Sequence, residues 1–136
     1  MEVEYGTLQD IGSWMELVQQ VRWNFPGLET QAALEDHRRT VLRFMGEQRA
    51  LCVKDGEKVI GVLLLSKKHN MICCLAVDPA HRRNGIASAL LEKALLELDR
   101  SKDITVIYRM TPYHPRFQRN DLHRSFQILL RRQFRQ

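Results

Sequence analysis

Long apolar stretches are absent from this sequence. No apolar run reaches the roughly 20 residues that a transmembrane helix needs, and the amino-terminal residues Met1–Glu4 show no signal-peptide pattern. Internal repeats and low-complexity linkers are also missing. The length of 136 residues and the hydrophobic content of 44% predict one soluble globular domain, residues 1–136, with no membrane partner. We expect a cytoplasmic location.

Cysteine is scarce, with three residues in the chain. An odd number, with Cys73 and Cys74 adjacent, does not indicate a disulfide framework. Neighbouring residues on a strand point to opposite faces, so Cys73 and Cys74 are not expected to bind one metal ion together. We therefore predict buried reduced thiols and no metal site.

Acidic residues, lysine and glycine are almost absent from the last part of the chain. Residues 1–108 carry 14 Lys+Arg and 15 Asp+Glu, whereas residues 109–136 carry seven Arg, no Lys and one acid, Asp121. This basic segment has no recognisable nucleic-acid motif, so nucleic acid is not the expected partner. The pattern of residues 121–134 predicts a basic helix with one apolar side. That side would either cover an exposed sheet edge or pack against a second copy of the chain, and the second arrangement would give a homodimer.

The most informative stretch predicts a strand, a polar turn and a helix. Met71–Val77 is an unbroken apolar run of strand length, and Pro79 cannot continue a central strand. The residues after the turn repeat apolar side chains at helical spacing. They are Ala87, Leu90, Leu91, Ala94 and Leu98.

The turn in this stretch has the properties of an anion-binding site. The first N–H groups of a helix lack intrahelical partners and carry the positive end of the helix dipole, so a pyrophosphate can bind there. Gly85 has no Cβ to block a phosphate, and Arg82 and Arg83 add charge. The absence of Gly-Lys-Ser/Thr excludes a Walker loop, and the absence of three spaced glycines excludes the dinucleotide fingerprint.

The pattern Arg82-x-x-Gly85-x-Ala87, directly after the strand exit at residues 75–79, resembles the acetyl-CoA motif of the GNAT superfamily of N-acetyltransferases. The resemblance implies an α/β fold with a mixed central sheet flanked by helices. The predicted elements agree with that fold over residues 3–108. Their order is β-α-α-β-β-β-α-β, followed by the atypical basic helix.

The same resemblance implies acetyl-CoA as the acetyl donor. Its pantetheine arm would pair with the strand backbone, and its pyrophosphate would bind at the turn. The implied cofactor-binding residues are Leu75, Ala76, Val77, Arg82, Arg83, Asn84, Gly85, Ile86, Ala87 and Ser88. An N–H near Leu75 would polarise the thioester carbonyl. One of the two adjacent cysteines facing the acyl group is the alternative to buried thiols.

The catalytic acid and base have no direct counterpart in the family pattern. Many members use a glutamate on the central strand as base, and Met71–Val77 contains none. His69 is the candidate base, with a solvated turn histidine as the alternative, and Tyr108 is the candidate acid. Trp23 and Phe25 lie in a Pro-Gly loop and either plug the end of the core or line the acceptor pocket.

These features predict an acetyl-CoA-dependent N-acetyltransferase that acts on a primary amine of a small molecule or a protein. The alternative is a CoA-binding domain with weak or no catalysis, because residues 109–136 depart from the family pattern. Their abrupt change of composition is typical of a shifted reading frame or a replaced carboxyl terminus.

Overall fold

A computed structural model describes residues 2–24 and 27–106. The elements in chain order are β1 (Val3–Tyr5), α1 (Ile11–Val21), α2 (Gln31–Gly46), β2 (Ala50–Asp55), β3 (Lys58–Ser66), β4 (Met71–Val77), α3 (Ile86–Glu97) and β5 (Thr105–Val106). Short 3-10 helices lie at Leu8–Asp10, Arg22–Asn24 and Pro79–His81. The predicted order is confirmed through the start of the fifth strand. The predicted basic segment 109–136 and its helix lie outside the described residues.

The five strands form one sheet in the order β1-β2-β3-β4-β5. The first three neighbouring pairs are antiparallel, and β4 and β5 are parallel. Helix α3 makes the crossover that a parallel pair requires. The predicted mixed sheet is therefore confirmed. No helix in the described part of the chain is long and apolar enough to cross a membrane.

Two hydrophobic cores lie on opposite faces of the sheet, and we name each by the helices that cover it. The α1/α2-side core includes Trp14, Leu17, Val18, Val21, Leu34, Val41, Phe44, Met45, Ala50, Cys52, Val62, Leu64 and Ala76. The α3-side core includes Leu51, Val53, Ile60, Leu63, Leu65, Ile72, Ile86, Leu90, Leu91, Ala94, Leu98 and Val106. Alternation along the central strands divides their side chains between the two cores.

Polar side chains fix where α1 and α2 begin. The Asp10 carboxylate accepts a hydrogen bond from the Thr7 N–H at 2.9 Å, which forms the predicted capping box before α1. The Thr30 hydroxyl accepts from the Ala33 N–H at 3.0 Å, so Thr30 is the N-cap of α2 as predicted. These caps set the positions of both helices against the sheet.

Strand β4 contains a bulge at Cys73. Leu64 of β3 pairs with Cys74, and Leu65 pairs with Ile72, so Cys73 is the extra residue. As a result, Ile72 belongs to the α3-side core, whereas Cys73 and Cys74 both pack against the α1/α2-side core. The prediction that the two cysteines point to opposite faces is wrong, because it assumed an unbroken strand.

Candidate functional site

Asp78 fixes the start of the turn that joins β4 to α3. Its side chain is 1% exposed and accepts a hydrogen bond from the Ala80 N–H at 2.9 Å. This bond caps the 3-10 helix Pro79–His81, in which the proline occupies a position that needs no N–H donor. The chain therefore leaves the sheet in one defined direction.

Charged neighbours tie this turn to the hairpin between β2 and β3. The Lys58 Nζ lies 3.4 Å from the Asp78 Oδ2, and the His81 Nδ1 lies 3.6 Å from the same oxygen. On its other side, the His81 Nε2 lies 3.8 Å from the Asp55 Oδ2. The hydrogen bond from Ala80 lowers the pKa of Asp78, and Lys58 adds to this effect while burial opposes it. Asp78 is therefore held in its charged form.

Two residues of the turn have left-handed backbone conformations, with φ of 70° at Arg83 and 77° at Gly85. Gly85 is the N-cap of α3, whose first intrahelical hydrogen bond runs from the Ala89 N–H to the Gly85 carbonyl at 3.0 Å. Glycine adopts this conformation freely, whereas an L-residue pays about 1–2 kcal/mol. The backbone thus requires Gly85 for a reason in addition to phosphate approach.

The N-terminus of α3 is open to a ligand. Gly85 offers no side-chain cap, and a Cβ added there would meet no atom within 4 Å. The three residues before it, Arg82–Asn84, are exposed. Ile86 is buried and anchors the first turn of the helix. By helix geometry, the Ile86 and Ala87 amides lack intrahelical acceptors, so this end can receive an anion.

The last residues of β4 present backbone groups at an open edge. The Asp78 N–H donates to the Ile60 carbonyl of β3 at 2.8 Å. Because hydrogen-bonded positions alternate along an antiparallel ladder, the N–H and C=O of Leu75 and Val77 point away from β3. Strand β5 pairs with the first two residues of β4, and no described strand pairs with the edge beyond them. An extended ligand can bind there as an added strand.

Gly61 of β3 allows α3 to lie close to the sheet, a role that sequence reasoning missed. A Cβ at Gly61 would lie 2.5 Å from the Ile86 Cγ2 and 3.2 Å from the Leu90 Cδ1. A side chain here would displace the first turn of α3, which carries the open amides. A glycine inside an otherwise apolar strand was the available signal, because it often marks close backbone approach.

Comparison with models of protein families identifies the family of this chain. The model of the acetyltransferase (GNAT) family matches residues 14–125, more than half of the chain. This chain belongs to the GNAT acetyltransferase family. This family match extends beyond residue 108, at which the resemblance described in the sequence analysis ends. No curated protein matches the chain.

Solved structures share the fold of this GNAT domain. A GNAT acetyltransferase from Bacillus cereus superposes with a TM-score of 0.56 at 23% identity and covers 69% of this chain, which spans 61% of that structure. An aminoglycoside 6'-N-acetyltransferase from Acinetobacter haemolyticus gives 0.60 at 16% identity, covering 92% and 88%. The PaiA N-acetyltransferase from Thermoplasma acidophilum, in complex with coenzyme A, gives 0.52 at 16% identity, covering 71% and 70%.

The ten predicted cofactor residues lie along one continuous path in this GNAT domain. They occupy the end of β4 (residues 75–77), the turn (82–84) and the N-cap and first turn of α3 (85–88). The path combines an open strand edge, a charged turn and an open helix end. These are the features that an elongated ligand with a pyrophosphate requires.

Of the four predicted catalytic and acceptor residues, the structure describes His69 and Trp23, and neither is among the residues of this path. His69 is exposed in the turn before β4 and is not among the residues of that strand. Trp23 is 53% exposed beneath the Arg22 guanidinium, 4.5 Å from the ring centre, so the interpretation of Trp23 as a core plug is wrong. Phe25 and Tyr108 lie outside the described residues.

A second polar cluster lies at the β1 edge, away from the turn. Ligand atoms of Glu4, Asp10 and Cys52 lie within 4.8 Å of one another. The Lys54 Nζ already contacts both acids, at 2.7 Å from the Glu4 Oε1 and 3.1 Å from the Asp10 Oδ1. Burial raises the pKa of Cys52 to about 12. This cluster therefore has the contacts of an internal ion-pair network.

Proposed function

We propose that this chain is an N-acetyltransferase that moves the acetyl group of acetyl-CoA to a primary amine of a small molecule or a protein. One observation carries the proposal: the open end of β4 leads directly to the open N-terminus of α3. The coenzyme A complex of a structural neighbour supports coenzyme A as the ligand class. The ten residues on the path would hold it.

The backbone of β4 would hold the acyl end of the donor. The outward N–H and C=O groups of Leu75 and Val77 would pair with the amides of the pantetheine arm. In the proposed complex, the Leu75 N–H would donate to the thioester carbonyl, whose oxygen gains negative charge during transfer. Transfer forms a C–N bond and breaks the C–S bond, so the amine loses a proton and the sulfur gains one.

The turn and α3 would hold the pyrophosphate. Its charge would be shared among the amides at the α3 N-terminus and the exposed guanidinium groups of Arg82 and Arg83. The buried Asp78, which accepts from the Ala80 N–H and lies 3.4 Å from the Lys58 Nζ, would hold the start of the turn in place. In this arrangement, the turn would supply affinity for the donor, and the edge of β4 would stabilise the charge that develops during transfer.

The test is calorimetric titration with acetyl-CoA. Gly85→Asn keeps a residue that tolerates the left-handed region but places a side chain in the open space, so it should weaken binding at least tenfold. Gly56→Asn is the matched control, because Gly56 has φ of 63° and equally open surroundings in the β2–β3 hairpin. Equal affinity of the Gly85 variant and the wild type would reject the site.

A second candidate function is coenzyme A binding with weak or no transfer. The observation that favours it is the lack of any acid or histidine within β4, together with the exposure of His69 in the turn before that strand. Release of free CoA should be followed across a panel of primary amines on the same preparation. Tight binding without amine-dependent release would select this second function.

The acceptor and the oligomeric state belong to the same proposal. The exposed Trp23, stacked with Arg22, offers an aromatic surface near the end of α1 for an acceptor, and Phe25 is its predicted companion. We also propose a homodimer, which would form through the predicted apolar side of residues 121–134. Activity across small amines and peptide amino termini, with sedimentation on the same sample, tests both.

A further inference from the structure

Cys73 and Cys74 form a pair of thiols on one face of the sheet. The bulge in β4 turns both side chains toward the α1/α2-side core. Both are partly exposed, and neither is in a disulfide. The third cysteine of the chain, Cys52, is fully buried in β2. The protein therefore contains one vicinal dithiol and one separate buried thiol.

The pair does not fit the two commonest uses of paired cysteines. Zinc takes four ligands, and among the described residues the only group of three potential ligands is the one at Glu4, Asp10 and Cys52. A disulfide usually joins Cα atoms that are 4.4–6.8 Å apart, whereas neighbouring residues across a trans peptide are about 3.8 Å apart. Within residues 2–24 and 27–106, the site supplies two thiols on one side and no third ligand.

A trivalent arsenical with one organic substituent requires two thiols and nothing more. We propose that Cys73 and Cys74 bind such an arsenical as a vicinal-dithiol site. In the reaction, R–As=O and two thiols give R–As(S)₂ and one water. Two As–S bonds form, the As=O bond is lost, and both thiol protons leave in the water. Arsenic remains trivalent, so no oxidant or reductant is needed.

The surroundings of the pair favour this reaction over ordinary thiol chemistry. Burial raises the pKa of the Cys73 thiol, and the positive charge of Arg49 only partly offsets that effect. A protonated thiol reacts slowly with alkylating agents, which attack thiolates. The arsenical consumes two protonated thiols with no net proton release, so the raised pKa does not oppose the overall equilibrium. The second As–S bond then forms within one molecule, which multiplies affinity.

The position of the pair links this site to acetyl transfer. Cys74 directly precedes Leu75, whose N–H faces the open edge of β4. An arsenical bridging the two thiols would place its organic group beside the acyl end of the donor. This consequence rests on the proposed function, whereas arsenical binding itself does not.

The experiment uses phenylarsine oxide and the intact mass of the native full-length protein. We expect one phenylarsine per chain, removed by a dithiol such as 2,3-dimercaptopropanol and retained in excess monothiol. Cys73→Ser and Cys74→Ser should each weaken retention at least 100-fold, because a single As–S bond lacks the intramolecular gain. Cys52→Ser is the matched control and should keep the adduct.

Three results would overturn the proposal. They are the absence of an adduct on wild-type protein, an adduct that survives in both single variants, and an adduct that is lost in Cys52→Ser. Circular dichroism of each variant verifies that the fold is retained, and a Cys73→Ala variant replaces any serine variant that unfolds. The mass readout is independent of acetyl transfer, so arsenical binding by a protein that does not bind acetyl-CoA would reject the proposed function alone.

Discussion

The two turns that flank β4 have similar composition and opposite properties. The turn before it reads Lys67-Lys68-His69-Asn70, and the turn after it contains His81-Arg82-Arg83-Asn84. Each offers a histidine, two adjacent cations and an asparagine, and each contains a residue with left-handed backbone. Composition and charge therefore do not distinguish them.

Hydrogen bonding separates the two turns. In the first, the Asn70 amide donates to the Asp99 and Asp103 carbonyls at 2.9 and 3.0 Å and accepts from the Asp99 N–H at 2.8 Å. The Thr105 N–H donates to the Asn70 carbonyl at 3.1 Å. Asn70 thereby joins β4 to the segment after α3, which is a structural role.

The turn after β4 has a buried anchor and an exposed outer side. The buried Asp78 carboxylate accepts a hydrogen bond from the Ala80 N–H and lies near the exposed Lys58 amine, while Arg82 and Arg83 are exposed beside the uncapped helix end. The proposed ligand site therefore differs from the first turn in that its exposed cations lie beside an uncapped helix end. The two turns can be tested against each other by variants that disrupt one and leave the other intact.

Asn70→Ala should give the largest effect, on stability. It removes three side-chain hydrogen bonds worth about 1 kcal/mol each, so the free energy of unfolding should fall by about 3 kcal/mol. Denaturant titration measures the loss. Asn70→Gly separates the loss of hydrogen bonds from backbone strain. Glycine adopts the φ of 49° without strain, so this variant should be about 1 kcal/mol more stable than Asn70→Ala. A loss below 1 kcal/mol for the alanine variant would refute the structural role.

Gly61→Ala should disturb the second turn through α3. Its Cβ would meet Ile86, and overpacking of this kind costs about 2 kcal/mol. Because Ile86 lies in the first turn of α3, acetyl-CoA affinity should fall as well, which calorimetry measures. Gly12→Ala in α1 is the control, with no atom within 4 Å, and should gain up to about 1 kcal/mol from helix propensity. Unchanged acetyl-CoA affinity in Gly61→Ala would show that close packing of α3 on β3 is not needed for the proposed site.

Asp78→Asn should reduce stability by about 1.5 kcal/mol at neutral pH, since the charged hydrogen-bond acceptor and its attraction to Lys58 are lost. The pKa of Asp78 is lowered in the folded state, so its contribution is complete above the ordinary aspartate value of about 3.9 and disappears as the pH falls through the folded-state pKa. Denaturation at pH 7 and in acid should therefore show the two proteins converging. A difference that stays constant down to pH 2 would assign the loss to packing.

His69→Gln should have the smallest effect. His69 is exposed, and the substitution should leave stability within about 0.5 kcal/mol and the acetyl-transfer rate within about twofold. Rates across pH 6 to 9 provide the measurement. Removing a general base usually costs about 10²–10⁴-fold, so a loss of that size would return His69 to the catalytic candidates.

Local patterns predicted the elements around the site well. The apolar run before Asp78-Pro79, the glycine after the arginines and the helical spacing that follows are contained in adjacent residues. The cap at Thr30 and the Asp55-Gly56 hairpin are local for the same reason. In such cases the residues that determine the structure are adjacent in the sequence, so distant contacts are not needed to predict it.

Features that depend on a partner strand or helix were not predicted. The bulge at Cys73 is defined only by its pairing with β3, and it reversed the expected direction of one cysteine. Gly61 matters because Ile86, 25 positions later, packs against it. The exposure of Trp23 likewise follows from where the helices and strands lie. Sequence spacing contains none of these separations.

The sheet order has a consequence for how the domain is made. Strand order in space is the same as strand order along the chain, so each strand meets a neighbour that the ribosome has already produced. We expect β1 to β4 and the first two helices to assemble once Val77 has emerged, with α3 covering the second face afterwards. Protease protection of stalled nascent chains would report this sequence of events. In this order the turn after β4 forms on an existing four-stranded platform, so we expect the proposed acetyl-CoA site to appear only after that platform has formed.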